Sequence, residues 1–370
     1  MRTPAKAIIR LLCVSALIVA AAATLNFAVD PLQLFRPARF TPAMYSSDTR
    51  MQDAGLIRSQ PFDTVFMGTS LAIHFRQRDI DRVLGVHSLK LSMTGSNSHE
   101  QSFVVAAALA TGARRVIWEV DDWIFCNAPD IGSDVYLPAD LYRGNARGIA
   151  SYLLSGAMAR ESALILMRSV FPGKPILARP TREALFKFPL SRVDDINSLP
   201  PDADVPGSYN AAKARAAFAD ITDPVRRAYL AEGYNTDAMV GNFERDMVDL
   251  IAKHPDVQFD IYLPPYSILQ WVAMRDASPA TLQIVYDFTA YLARRLAELP
   301  NVRLSDFRAV QEVTHDLNNY GDVIHHSPTV DLKVLSWLAA GDYVVDRSTP
   351  TASLEKLKAQ VETYRVAENP

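Results

Sequence analysis

Ser70, Asp322 and His325 are the residues whose types and spacing could carry chemistry. Ser70 follows Gly68-Thr69 at the end of a short apolar run, DTVFMG (63–68), and precedes a helix-compatible stretch, LAIHFRQRDIDRVLG. A serine between strand and helix exposes its hydroxyl at a sheet edge, where backbone N–H groups and the positive end of a helix can stabilise an oxyanion. A serine in that place also commonly does no more than cap the helix. Near the other end of the chain, NNYGDVIHHSP (318–328) places Asp322 three residues before His325. That spacing lets a carboxylate orient an imidazole, which then serves a nucleophile as general base and later as general acid. His326 is the adjacent alternative base, and the D-x-x-H spacing favours His325. A metal site built from Asp322, His325 and His326 lacks further ligands, because the other histidines are scattered and neither HExxH nor CxxC occurs. No metal and no cofactor is expected, and neither a P-loop nor GxGxxG follows a strand.

Residues so far apart in the chain need a sheet to bring them together. After the 63–68 run, HSLKLSM (87–93) reads as a second strand ending at Thr94-Gly95-Ser96-Asn97. SHEQSFVVAAALATG then predicts a helix with Ser98 at its N-cap and Gly112 beyond its end. RRVIWEVD (114–121), VQFDIYLPP (257–265) and NVRLSDF (301–307) read as further strands, with helical patterning at 209–253 and 279–298. Strand–helix alternation predicts an α/β fold with a parallel sheet covered on both faces. Functional residues of such sheets gather at the carboxyl ends of the strands. Those ends carry Ser70, Gly95 with Asn97, Asp121 with Asp122, and Pro265 with Tyr266. Strand-end acids are as often solvated loop residues, and a strand-end tyrosine is often packing.

The chain has 370 residues, with 38 basic and 41 acidic side chains and a formal net charge of −3, and no run of Lys or Arg suggests nucleic acid. Its two cysteines, Cys13 and Cys126, do not suggest a structural disulfide. Arg2, Lys6 and Arg10 precede an uncharged stretch at 11–29, long enough to cross a bilayer. Small residues at Ala20–Ala23 offer a cleavage site, but apolar character resumes in Phe27–Val29, so an uncleaved anchor is the preferred reading. The flanking charges predict a cytoplasmic N-terminus, with one membrane pass and the body in the periplasm. The expected organisation is an anchor at 1–29, a lead-in at 30–60, a main domain at 61–345 and a C-terminal helix or tail at 346–370. An insertion at 126–208 holds nine of the 23 prolines and one apolar helix candidate at 150–171.

A serine block after the first strand, a glycine after the second and D-x-x-H after the last resemble the SGNH (GDSL-like) hydrolase superfamily. The resemblance covers roughly 60–345 apart from the insertion. It implies a three-layer α/β/α sheet, Ser70 as nucleophile, His325 and Asp322 as its base and orienter, and an oxyanion hole from the N–H groups of Ser70 and Gly95. The sequence departs from the family in two places. The serine block reads Gly68-Thr69-Ser70 instead of GDS, and EVDDWIF stands where a G-x-N-D block is expected, leaving Asn97 as a substitute donor. The acidic strand end, LPPYS and the anchor are more similar to exported SGNH-like proteins of the cell envelope, including alginate acetylation proteins and the teichoic-acid D-alanine transfer protein. That similarity implies acyltransferase or esterase chemistry on an envelope polysaccharide or glycoconjugate. It also implies an acyl donor and a membrane acyltransferase partner; Asp122 and Tyr266 are candidates to line the substrate site by their places at strand ends. The missing asparagine block leaves a second reading, a non-catalytic envelope protein that binds a glycan or an assembly partner.

Overall fold

The computed structural model describes residues 4–38, 49–126, 137–170, 207–221 and 233–366. Parts of the lead-in (39–48) and of the insertion (127–136 and 171–206) lie outside the described residues. In chain order, α1 (Pro4–Val29) and α2 (Gln52–Ser59) precede β1 (Thr64–Gly68), α3 (Gln77–Leu84), β2 (Ser88–Ser92), α4 (Ser98–Leu109) and β3 (Arg115–Glu119). Then come α5 (Ala139–Arg143), α6 (Ala146–Leu153), α7 (Gly156–Val170), α8 (Ala211–Ile221) and α9 (Thr236–Phe243). A π-helical turn (Glu244–Val248) joins α9 to α10 (Asp249–Lys253). β4 (Gln258–Leu263), α11 (Ile268–Ala277), α12 (Pro279–Ala297), β5 (Val302–Asp306), α13 (Gln311–Thr314), α14 (Pro328–Ala340) and α15 (Ala352–Thr363) complete the chain. Two compact units result: Met1–Gln60 with Gly132–Ile196, and Pro61–Ile131 with Asn197–Pro370.

The second unit is α/β. Its five strands are all parallel, in the order β2-β1-β3-β4-β5. The strands are buried almost throughout; β1 (TVFMG) and the middle of β3 (RVIWE) read as near-continuous apolar runs, whereas β2 (SLKLS) alternates polar and apolar residues although both its faces are covered. Phe66 on β1 and Ile117 on β3 are register partners, and they pack with Val334 and Leu335 of α14 and Ile80 of α3. Neighbouring residues on a strand face opposite sides. Trp118 accordingly turns to the other face, where its Nε1 donates to Gln101 of α4 at 2.7 Å. Chain direction along the sheet reverses between β1 and β3, and parallel sheets open a crevice at such a switch point.

Two local expectations are corrected. Asn97, not Ser98, caps α4: its side chain accepts from Glu100 N while the Glu100 carboxylate accepts from Asn97 N, a capping box. Ser98 is the first helical residue and donates to Asp246 at 2.6 Å. The segment 150–171 is two helices, because Ser155 caps α7 through Met158 N and the Leu153 carbonyl accepts from the Asn26 side chain. These bonds take the place of a continuous ladder.

In the first unit, α1 is long and apolar enough to cross a membrane. It ends where Asp30 adopts φ +52° ahead of Pro31. The Asp30 carboxylate accepts from the N–H groups of Leu34, Phe35 and Arg36 and from the Tyr152 hydroxyl. It thereby closes the chain's exit from the helix.

After β5, Arg308 is buried and donates to both Asp306 oxygens and to Thr289. Removing one partner of a buried pair leaves the other charge uncompensated, which costs about 3–5 kcal/mol. Arg308→Met is expected to lose about that much in chemical denaturation of the whole chain. Asp306→Leu/Arg308→Met, which removes both charges, should recover part of the loss. Equal stabilities for wild type and the single variant would contradict this account.

Candidate active site

β1 ends at Gly68 because a side chain there has no room: a Cβ would lie 2.7 Å from Ala72 Cβ and 3.0 Å from Glu119 Cβ. The chain then turns through a 3-10 segment, Ser70–His74, and the α-helix expected in the stretch after Ser70 begins only at Gln77. Lys90 of β2 holds that turn, its ammonium donating to the carbonyls of Ile73 and Phe75 at 2.8 Å each. Ser70 N–H opens the turn, where the first N–H groups of a helix have no intrahelical acceptor.

Ser70 Oγ lies 2.9 Å from His325 Nε2. On the other side of the ring, Nδ1 lies 2.6 Å from Asp322 Oδ2. This geometry assigns the ring proton to Nδ1 and leaves Nε2 to accept from the serine hydroxyl. The loop carrying the pair is fixed from within and from outside. Asp322 Oδ1 accepts from the N–H groups of Ile324 and His325 at 2.8 and 2.7 Å. Tyr320 donates to the Pro265 carbonyl at 2.6 Å, and both the N–H and the hydroxyl of Ser267 donate to Val323 O. The segment after β4 thus holds the His325 loop against the carboxyl edge of the sheet.

Burial works against an imidazolium at His325, but the hydrogen bond and charge of Asp322, joined by the charge of Asp121, outweigh it and hold the ring above its ordinary 6.5. Burial likewise works against the Asp322 carboxylate. Its bond to His325, the His325 charge and the two N–H donors prevail, and Asp322 sits below 3.8.

Beneath Ser70 lies a buried acidic group that the sequence reading had only partly singled out. Glu119, Asp121 and Thr69 are all buried. The Thr69 hydroxyl lies 2.7 Å from Asp121 Oδ2 and 3.1 Å from Glu119 Oε1. Tyr266 also donates to Asp121, and Tyr262 reaches Glu119 at 3.4 Å. Burial and the neighbouring Asp121 push Glu119 far above the carboxylate range. Burial raises Asp121 too, against the two hydroxyls that donate to it. Burial thus pushes both acids toward the neutral form, and Asp121, with the two shorter hydroxyl contacts, is the better placed of the two to stay charged. Burial and the charge of Asp121 push Asp122 up to about 6, and Tyr234 donates to it at 3.1 Å.

The remaining expected site residues fall in several places. Gly95 is exposed at the third position of the Met93–Ser96 turn, with φ +63°, where glycine is favoured. Asn97 serves as the cap of α4, and among the described residues no hydrogen bond joins it to Ser70 or His325. Asp122 and Tyr266 border a cavity of ≈ 10 Å³ together with Asp121, Thr289 and Arg308, room for about one water and not for a substrate. His326 turns away from His325. It is buried edge-on against Phe75, with Nδ1 3.0 Å from Asp331, so Asp322, His325 and His326 do not converge on a common point. Among the described residues no cluster of ligand-type side chains could hold a metal. Sequence reasoning missed Glu119 and Thr69. An acid inside an otherwise apolar strand, EVDD, was the available signal.

Comparison with models of known protein families gives no match, and comparison with curated proteins gives none either.

Titration of the His325 ring by NMR is expected to give a midpoint above 6.5 in the wild type. The histidine is charged below that midpoint and becomes a usable base above it. Asp322→Asn removes the charge that raises it and leaves at most a neutral acceptor in its place, and the midpoint should fall. Asp121→Asn should lower it by less, without disturbing the Asp322 contact. An unchanged midpoint in both variants would refute the electrostatic assignment.

Proposed function

We propose that the protein is a serine-dependent acyl-ester enzyme, an O-acyltransferase or esterase of SGNH-like type acting on a cell-envelope polysaccharide or glycoconjugate. The observation that carries the reading is the unbroken chain Ser70 Oγ, His325 Nε2, His325 Nδ1 and Asp322 Oδ2, with contacts of 2.9 and 2.6 Å. Those distances suit proton transfer without rearrangement. The location of this serine at a β1–β3 switch point adds support, since ligands bind there in open parallel sheets.

In the proposed reaction, Ser70 Oγ attacks an acyl carbonyl carbon while its proton passes to His325 Nε2. Asp322 stabilises the imidazolium and preserves its orientation. The negative charge gathers on the former carbonyl oxygen, and the N–H groups of Ser70 and Gly95 are the proposed donors to it. Collapse breaks the acyl–oxygen bond of the donor, and His325 returns the proton to the departing alkoxide. The acyl-serine is then attacked by water, completing hydrolysis, or by a sugar hydroxyl, completing transfer. His325 takes the attacking group's proton and gives it back to Ser70. The apolar α1 supports an inner-membrane anchor with this chemistry in the periplasm, beside an acyl donor or a membrane acyltransferase partner.

Intact-mass analysis after treatment with a fluorophosphonate probe tests the reading. One adduct is expected on the wild type and none on Ser70→Ala, while His325→Ala should label about 10²–10⁴-fold more slowly, the usual contribution of a general base. Labelling of wild type and Ser70→Ala to the same extent would exclude Ser70 as the nucleophile. The wild-type labelling rate should also rise with pH through a midpoint above 6.5, as His325 loses its proton.

A further inference from the structure

The last turns of α1 are built into the first unit by polar bonds. Leu11–Val29 carries no charge and comprises 19 residues, which at 1.5 Å each span about 28 Å, close to the ~30 Å hydrocarbon layer of a bilayer. Residues 5–21 are wholly exposed, but Ala22, Ala23 and Leu25 are half-buried and Asn26 and Val29 are buried. The docked stretch therefore begins well before the apolar segment ends. The undocked part, 11–21, spans only about 16 Å, roughly half the layer. Sliding the helix to make up the difference would draw Arg10 and Lys6 into the hydrocarbon, where a basic side chain costs about 2.5–3.5 kcal/mol at mid-depth.

Asn26 shows what meets the helix at that level. Its side-chain nitrogen donates to Leu153 O at 2.9 Å and to Ser155 O at 3.1 Å, and Ser162 Oγ donates to its oxygen at 3.0 Å. Both ends of the amide are satisfied by protein, as an apolar surrounding requires. Leu154 sits between the two accepting residues and is 56% exposed. Asn26 lies three residues, about 4.5 Å, inside the end of the uncharged stretch. At that end, Arg36 donates to the carbonyls of Phe27 and Ala28 and lies over the Phe27 ring, an arrangement suited to the headgroup level.

We infer that the α6–α7 junction, residues 153–156, is a second membrane contact, with Leu154 seated in the boundary between lipid headgroups and acyl chains beside α1. The inference rests on the reading of α1 as a membrane anchor. A phospholipid surface suits the site because the junction is bonded to a helix segment that the length of the apolar stretch places within the lipid layer.

Spin labels report depth through collision with oxygen, which concentrates in lipid, and with a water-soluble nickel chelate. The test uses the full chain, with Cys13→Ser and Cys126→Ser, in nanodiscs of phosphatidylcholine and phosphatidylglycerol. Labels are placed singly at Leu17→Cys on the anchor, Leu154→Cys at the junction and Lys356→Cys as an aqueous reference. The expected result is oxygen access with loss of chelate access at both Leu17 and Leu154, deeper at Leu17, and full chelate access at Lys356. Leu17 in lipid with Leu154 in water would overturn the inference while leaving the anchor intact. Both in water would overturn the inference together with the anchor. A Leu154 label shielded from both reagents would show that protein covers it, and would overturn the lipid contact.

Discussion

Two carboxyl groups, Glu119 and Asp121, are buried two residues apart where β3 meets the carboxyl edge of the sheet, and the turn that carries Ser70 depends on how they are satisfied. Two charges so close in a medium of low dielectric constant repel strongly, so a single proton on one of them is the stable arrangement. Asp121 receives the better donors, Thr69 and Tyr266, and is the better placed to carry the charge, with the proton on Glu119. Thr69 cannot donate its one hydroxyl proton to both acids. With Glu119 protonated it need not, because the acid can donate to the threonine oxygen while the threonine donates to Asp121. That chain of bonds fixes the residue immediately before Ser70. It also leaves a carboxylate whose charge bears on His325 from the sheet side, while Asp322 acts on the ring from its own loop.

The parts meet by topology more than by local sequence. The turn carrying Ser70 follows β1, the acidic pair ends β3, and the Pro265–Ser267 segment after β4 fastens the His325 loop. β1 and β3 are neighbours, and β4 follows β3, so these carboxyl ends lie side by side along one edge. Tyr320 and Ser267 bind main-chain carbonyls from outside the loop and the Asp322 carboxylate ties it from within, so the loop geometry is set before any ligand arrives. Preorganisation of this kind matters because a displacement of about 1 Å between reacting groups can cost about 10²-fold in rate.

Much of the sheet was legible because a strand buried on both faces has a plain signature, a short apolar run. VFMG on β1 and VIW on β3 show it plainly, whereas LKLS on β2 was legible by its alternation of apolar and polar residues. The pairing of Ser70 with His325 could be anticipated because D-x-x-H spacing constrains which imidazole a carboxylate can orient, and it favours His325 over His326 on local geometry alone. What was not legible depended on distant partners. Glu119 reads as a stray acid until Thr69 is placed beside it, fifty residues away in the chain. The break between α6 and α7 is capped locally by Ser155, but its other fastening comes from Asn26, and no periodicity within 150–171 announces a bond to a residue in another helix. Asn97 and Ser98 are both good capping residues, and the reciprocal pair of bonds between Asn97 and Glu100 distinguishes them.

Exposure of the dyad bears on how an acyl-serine would be resolved under the proposed reading. Asp322 and His325 keep 38% and 34% of their side-chain surface exposed, although Asp121 and Tyr266 behind them are buried. Water therefore reaches the imidazole from the solvent side, and it is present at about 55 M while a sugar hydroxyl is scarce. A transferase whose half-buried base still meets water needs its acceptor to occupy the space over His325 before the donor's leaving group departs, so that the acceptor hydroxyl is the nearest one to Nε2. An esterase needs nothing of the kind. The distinction between the two reactions thus resides in what covers the solvent face of His325, and not in the triad, whose proton transfers are identical in both.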